Sequence, residues 1–160
     1  MMPYITKKSV QKMILTLSVV MSALPLTMAH AATSTDSAKK LATITKMYQQ
    51  DISNEGLGKP VLMQYGSSEL QAALKLEQQY FDKNEMICGT GHDVLWESQD
   101  PDYEQDKQIS VHRDGLVNVT LAQGETVRYK MACDATKCMV ADVIMADNKS
   151  LKDFLNKSCR

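Results

Sequence analysis

Several things this chain lacks exclude whole classes of function. It has no His-Glu-x-x-His helix and no Gly-x-Ser-x-Gly elbow, so neither the zinc hydrolase nor the serine hydrolase signature is present. Its lysines and arginines are scattered singly or in pairs such as Lys39-Lys40, not gathered into the basic surface a nucleic-acid binder needs. No internal repeat or low-complexity segment interrupts it. Gly89-Thr90-Gly91-His92 is glycine-rich but has no flanking strand, helix and lysine, so it reads as a tight turn after Cys88, not a phosphate cradle. Tryptophan occurs once, at Trp96. Charge is missing from Met13 to Ala32, and positive charge is missing from Asp93 to Asp106. These last two absences direct most of the reading.

The first gap follows Lys7, Lys8 and Lys12 and contains the apolar stretch Met13–Met21. Pro25 breaks it, and Ala29-His30-Ala31 supplies the small-x-small motif of a signal peptidase site. Residues 1–31 therefore read as a cleaved secretory signal, with Ala32 the first residue of the product. A spanning helix needs about 20 apolar residues. The window has that length, but Thr16, Ser18, Ser22, Pro25 and Thr27 dilute it, so no stable membrane anchor is expected. The expected address is the periplasm, where disulfides persist. The Asn-x-Ser/Thr triplets at Asn118, Asn148 and Asn156 matter only in a eukaryotic secretory pathway.

What remains, residues 32–160, is enough for a single domain with a real core. It carries 15 basic and 19 acidic residues, a net charge of −4. All four cysteines lie in it, and an even number in an exported chain favours disulfides. Cys133 and Cys138 flank a short loop between strands, and opposed strand positions bring side chains close enough to bridge. That pairing leaves Cys88 with Cys159. Zinc held by these cysteines with His92 or His112 is the competing use, disfavoured in an oxidising compartment. No metal or cofactor is expected.

The element pattern is helices first, strands after. A helix capped by Asp36 or Ser37 presents Leu41, Ile44, Met47, Tyr48 and Ile52 on one face and stops at Gly56 and Gly58. Pro60–Met63 allows a further turn. Ser67 or Ser68 starts a second helix, with Ser68-x-x-Gln71 as a capping box and Leu70, Ala73, Leu74, Tyr80 and Phe81 as its buried side. After the acidic stretch, four strands alternate. The first carries Ile109, Val111 and Arg113, and Asp114-Gly115 turns it. Val117, Val119 and Leu121 follow, then Val127, Tyr129, Met131 and Cys133, then Met139, Ala141, Val143 and Met145. Ser150-x-x-Asp153 opens a short last helix containing Leu151, Phe154 and Leu155. This is an α+β domain, N-terminal helices laid on a curved antiparallel meander.

Met47-Tyr48-Gln49-Gln50-Asp51-Ile52 on the first helix, Pro60-Val61-Leu62, the Ser67-Ser68-Glu69-Leu70 helix start, an acidic centre, hairpin-connected strands and a closing Ser-Leu-Lys helix occur in that order. The order resembles a group of secreted bacterial domains of unknown function with the cone-like fold of the nuclear transport factor superfamily. The resemblance spans Ala38 to about Leu155, lies in order and spacing, and implies a cone-like fold without fixing a function. Cys133 and Cys138 stand outside that pattern.

Catalysis has few candidates. His92 and His112 are the only histidines beyond the signal, with Ser98, Ser110 and Asp114 as formal partners. A buried carboxylate facing either histidine in a pocket would favour an enzyme acting on a small molecule on the cone-like fold. Tyr48, Tyr80, Phe81 and Trp96 could line a pocket on such a fold, but they are equally good core residues, and the core is the favoured reading. The acidic stretch Asp93, Glu97, Asp100, Asp102, Glu104, Asp106 reads as a solvated loop or as a docking surface for a basic secreted protein. In the docking reading Asp100, Asp102, Glu104 and Asp106 supply charge, and Trp96 and Tyr103 act as aromatic anchors. A calcium loop is disfavoured by the missing glycine turn and terminal glutamate. The expectation is a non-enzymatic soluble periplasmic binding domain. An immunity protein or inhibitor of a secreted toxin or cell-wall hydrolase is the main alternative.

Overall fold

A computed structural model describes residues 28–54 and 61–160, with side chains from Thr35 onward. Most of the expected signal, together with Gly56, Gly58 and Pro60, lies outside the described residues. Helix α1 (Met28–Asn54) runs into a one-turn helix α2 (Leu62–Tyr65) and then α3 (Ser68–Asn84). Strands β1 (Lys107–Val111), β2 (Val117–Leu121), β3 (Thr126–Cys133) and β4 (Cys138–Ile144) follow, and α4 (Leu151–Ser158) closes the chain. The α+β order expected above is the order observed.

Helix α1 starts upstream of Asp36 and Ser37, so neither residue is its cap. Ala29, Ala31 and Ala32 are strong helix formers with no glycine or proline among them, and the helix propagates through them. Asp36 instead pairs with Lys39 one turn on, at 2.7 Å. The predicted apolar face holds. Ile44, Met47 and Tyr48 are fully buried, with Leu41 and Ile52 packed beside them.

The four strands form one antiparallel meander in chain order. Val117, Val119 and Leu121 of β2 and Val127 and Tyr129 of β3 point into the core, while Thr120 and Lys130 face solvent. Such alternation is what a sheet covered on one face requires. Helix α1 lies against that buried face and touches all four strands. Arg113 belongs to the β1–β2 turn, not to a strand, and Gly115 there takes a φ of 86° that favours glycine.

In β4 the expected inward set, Met139, Ala141, Val143 and Met145, is only half right. Met131 opposes Val140 and Lys130 opposes Asp142, so Ala141 is an extra residue, a β-bulge. Cys138 and Val140 face the core before it, and Val143 and Met145 after it. The carboxylate of Asp142, on the other side, accepts from Ser150 Oγ at 2.6 Å and from Lys152 N at 3.1 Å, which fastens the start of α4. Ser150 itself caps α4 by accepting from Asp153 N, as its spacing suggests.

Helix α3 is capped by Ser67, whose Oγ accepts from Leu70 N. The Ser68-x-x-Gln71 box does not form, and Gln71 Nε2 donates back to the Gly66 carbonyl at 3.1 Å. Ser67 N also donates to Val140 O at 2.7 Å, so the α2–α3 junction covers the outer edge of β4. Phe81, expected on the buried side of α3, is 48% exposed because α3 runs past the end of the core there.

Both disulfides form as paired from the sequence, so no cysteine is free for zinc. Cys133 and Cys138 are directly opposed at the end of the β3–β4 hairpin. Cys88–Cys159 joins residues 71 apart and ties the end of α4 to the segment after α3. On the chain-entropy model a loop of that length contributes about 4 kcal/mol.

Candidate functional site

A polar seam crosses the core beneath α1. Tyr48 Oη donates to the Leu95 carbonyl at 2.7 Å and lies 2.8 Å from Tyr129 Oη, which therefore donates to it. One turn along α1, Asp51 Oδ2 accepts from the indole N–H of Trp96 at 2.7 Å. Tyr48, Trp96 and Tyr129 are fully buried, and the Tyr48 ring meets both of the others edge to face. Burial holds both phenols well above the ordinary tyrosine range, so the hydroxyls stay neutral. Lys107 Nζ sits 5.1 Å from the centre of the Trp96 ring, within cation–π range.

Beside this seam is a cavity of about 210 Å³ between α1, α3 and the 90–95 segment. Val61, Leu62, Leu74, Leu95 and Leu151 form apolar walls. Three carboxyl groups face it: Asp51, Glu77 and Asp93. Burial raises all three above the usual carboxylate range, opposed in Asp51 by the Trp96 N–H and in Asp93 by the backbone N–H of Leu95. Glu77 has no opposing contact of this kind. Among the described residues no lysine or arginine pairs with any of them. Gly89 leaves room for the Glu77 carboxyl, since a Cβ there would fall 1.6 Å from Glu77 Oε1. The cavity continues into a wider groove along α3 lined by Leu74, Glu77, Phe81, Ile87, His92 and Gln99.

The acidic stretch divides in two. Asp93 belongs to the cavity and Glu97 to the protein's own packing, where its carboxylate accepts from Ala146 N at 3.0 Å. Asp100, Asp102, Glu104 and Asp106 are exposed, and the residues between them, Pro101, Tyr103 and Gln105, are half-buried. This alternation turns four carboxylates outward in a row. Tyr103 clamps the row from beneath by packing edge to face on Trp96, 5.5 Å between centres. Asp102 Oδ1 accepts from Glu104 N at 3.0 Å, and Ser98 Oγ accepts from Asp100 N at 3.1 Å. Trp96 is 0% exposed, so it is a core residue and not the surface anchor of the docking reading. It holds the segment from inside, because its ring completes the core between α1 and β1.

His92 lies on the cavity wall. Its Nε2 is 3.4 Å from Glu97 Oε2 and its Nδ1 is 3.2 Å from the Thr90 carbonyl. His112 is exposed in the β1–β2 turn, beside the equally exposed Asp114 at 3.1 Å. Of the aromatic residues proposed for a pocket, Tyr48 and Trp96 are core, Tyr80 packs against the core, and Phe81 lines the groove. Among the described residues no group of three or more His, Cys, Asp or Glu has the geometry of a metal site.

Asp51 and Glu77 were given no role in the sequence reading, although a signal for both was present. Asp51 falls three residues after Tyr48, and Glu77 three after Leu74, so each interrupts an apolar stripe with a carboxylate. No protein-family model, curated protein or solved structure matches this chain.

Proposed function

We propose that the chain is an exported, non-enzymatic binding domain whose partner is a basic secreted protein. The outward row Asp100, Asp102, Glu104 and Asp106, held in place by Tyr103 on Trp96, carries this reading. Four carboxylates on an anchored segment steer a basic surface at long range and present it with a fixed pattern at short range. Two disulfides suit an oxidising compartment, and among the described residues no helix is long and apolar enough to cross a membrane. In its narrower form the domain blocks a basic toxin or cell-wall hydrolase in the periplasm. The protein exported there begins at Ala32, which intact mass measurement tests.

The test of binding is stopped-flow association with purified basic cell-wall hydrolases. Replacing Asp100, Asp102 and Asp106 by Asn and Glu104 by Gln slows association about tenfold or more at low salt, and much less at high salt. An unchanged rate at low salt removes the reading. A second reading, catalysis on a small molecule, is favoured by His92 facing Glu97 at the cavity wall. It requires turnover that is lost in His92→Gln.

A further inference from the structure

The two edges of the sheet differ. The outer edge of β4 is covered by the α2–α3 junction, where Ser67 N donates to Val140 O. At β1 the sheet ends. His112 N donates to Leu116 O at 2.8 Å, which sets the phase of the β1–β2 ladder. Gln108 and Ser110 therefore bond to Thr120 and Asn118, and the backbone N–H and C=O groups of Lys107, Ile109 and Val111 point the other way. Among the described residues no strand, bridge or side chain pairs with those groups. Neither a proline nor a bulge guards the strand, and its one charged side chain, Lys107, is turned over the Trp96 ring. Beside the edge a groove of about 840 Å³ separates β1 from α1, with Leu41, Ile109 and Val111 among its walls. Open backbone groups and half-buried apolar side chains thus lie side by side.

We infer that this edge pairs with β1 of a second copy of the chain, antiparallel and two-fold symmetric, so that the two sheets join into one. The order of charges along the strand selects a second copy. With Ile109 opposite Ile109 of the second copy, Lys107 falls opposite Val111, Gln108 opposite Ser110, and Asp106 opposite His112. Every outward residue of the strand then pairs, giving about six backbone hydrogen bonds, and no like charges meet. Sliding one copy by two residues puts Lys107 opposite Arg113 and Asp106 opposite Asp114. Sliding it the other way leaves Val111 opposite Gln105, outside the strand. One register therefore stands apart, and it sets Ile109 and Val111 of each copy beside the groove of the other. The pairing does not depend on the function proposed above.

The exported protein, with both disulfides intact, is studied by sedimentation equilibrium at concentrations up to about 1 mM, a range that reveals association through a small interface. The expected result is a reversible dimer. As it forms, amide exchange slows at Lys107, Ile109 and Val111, whereas Gln108 and Ser110 are protected at every concentration. Gln108→Lys combined with Ser110→Lys changes only exposed side chains and places like charges opposite each other twice across the two-fold axis. It should weaken the dimer about tenfold or more. Gln108→Glu with Ser110→Glu should do the same, and an equimolar mixture of the two variants should dimerise again. Ile109→Pro removes an outward N–H that β2 does not use, and should also give a monomer. A parent protein that stays monomeric up to about 1 mM overturns the proposal, even if its edge takes up an extended peptide of another sequence. So does a dimer that the lysine variant leaves unchanged, whether or not Ile109→Pro folds.

Discussion

The same functional group occurs in two settings on either side of Trp96. On the 100–106 segment carboxylates face water, where their field is felt at a distance and screened within about 8 Å at physiological salt. Around the cavity Asp51, Glu77 and Asp93 face hydrocarbon, and burial raises their pKa values. Exposed acids act at a distance, whereas two of the buried ones are held by short internal contacts, Asp51 by the Trp96 N–H and Asp93 by the Leu95 N–H. Trp96 joins the two sets, its N–H on Asp51 and its ring under Tyr103.

Removing that link has the largest expected effect. Trp96→Ala takes out a fully buried indole and leaves Asp51 without a donor, which should cost roughly 5 kcal/mol in urea unfolding. Tyr103 then loses its support, so the exposed row should also lose order, visible as faster amide exchange over 100–106.

Cys159→Ser comes next, at about 4 kcal/mol. It frees α4, whose Leu151 forms part of the cavity wall, so amide exchange in α4 and around the cavity should become faster. Low-salt association through the exposed row should persist. Its loss would mean that the two sets are not separable.

Glu77→Gln sharpens the contrast through pH. A carboxyl whose pKa is raised on folding lowers stability above its ordinary value, about 4.3 for glutamate, and the penalty vanishes as pH falls below it. The variant should therefore be more stable than the parent at neutral pH, by about 0.5 kcal/mol, and equal to it in acid. Asp134 behaves oppositely. Backbone N–H groups of Lys137 and Thr136 and the Thr136 hydroxyl hold it down to about 2. Its contribution is present above the ordinary value and is lost as pH falls toward that figure. Comparing Asp134→Asn with the parent along an acid titration checks the sign. The smallest effect on stability belongs to the quadruple neutral row, within about 0.5 kcal/mol, despite its large effect on association rate.

The sequence disclosed the parts of this arrangement that follow from local pattern. Alternation placed the inward residues of β2 and most of β3, and a five-residue separation in a hairpin paired Cys133 with Cys138. It left Trp96 with two places, in the core or as a surface anchor, because an acidic neighbourhood looks the same whether its one indole points in or out. Nor did it place Phe81, since helical periodicity says which face is apolar but not where the core beneath it ends. The cavity went unseen because its carboxyl groups come from separate segments, each an ordinary interruption of its own stripe.

The bulge at Ala141 makes β4 a strand of two phases, reading inward on even residue numbers up to Val140 and on odd numbers from Val143. One inserted residue thus lets a single strand complete the core with one half and turn Asp142 away to fasten α4 with the other. An edge strand ordinarily tolerates a change of length. Here, pairing the strand without the bulge would turn Asp142 inward in place of Val143, and only removal of Ala141 itself would bring the two halves into step with that carboxylate still facing out, so the frame of this strand is as constrained as its composition.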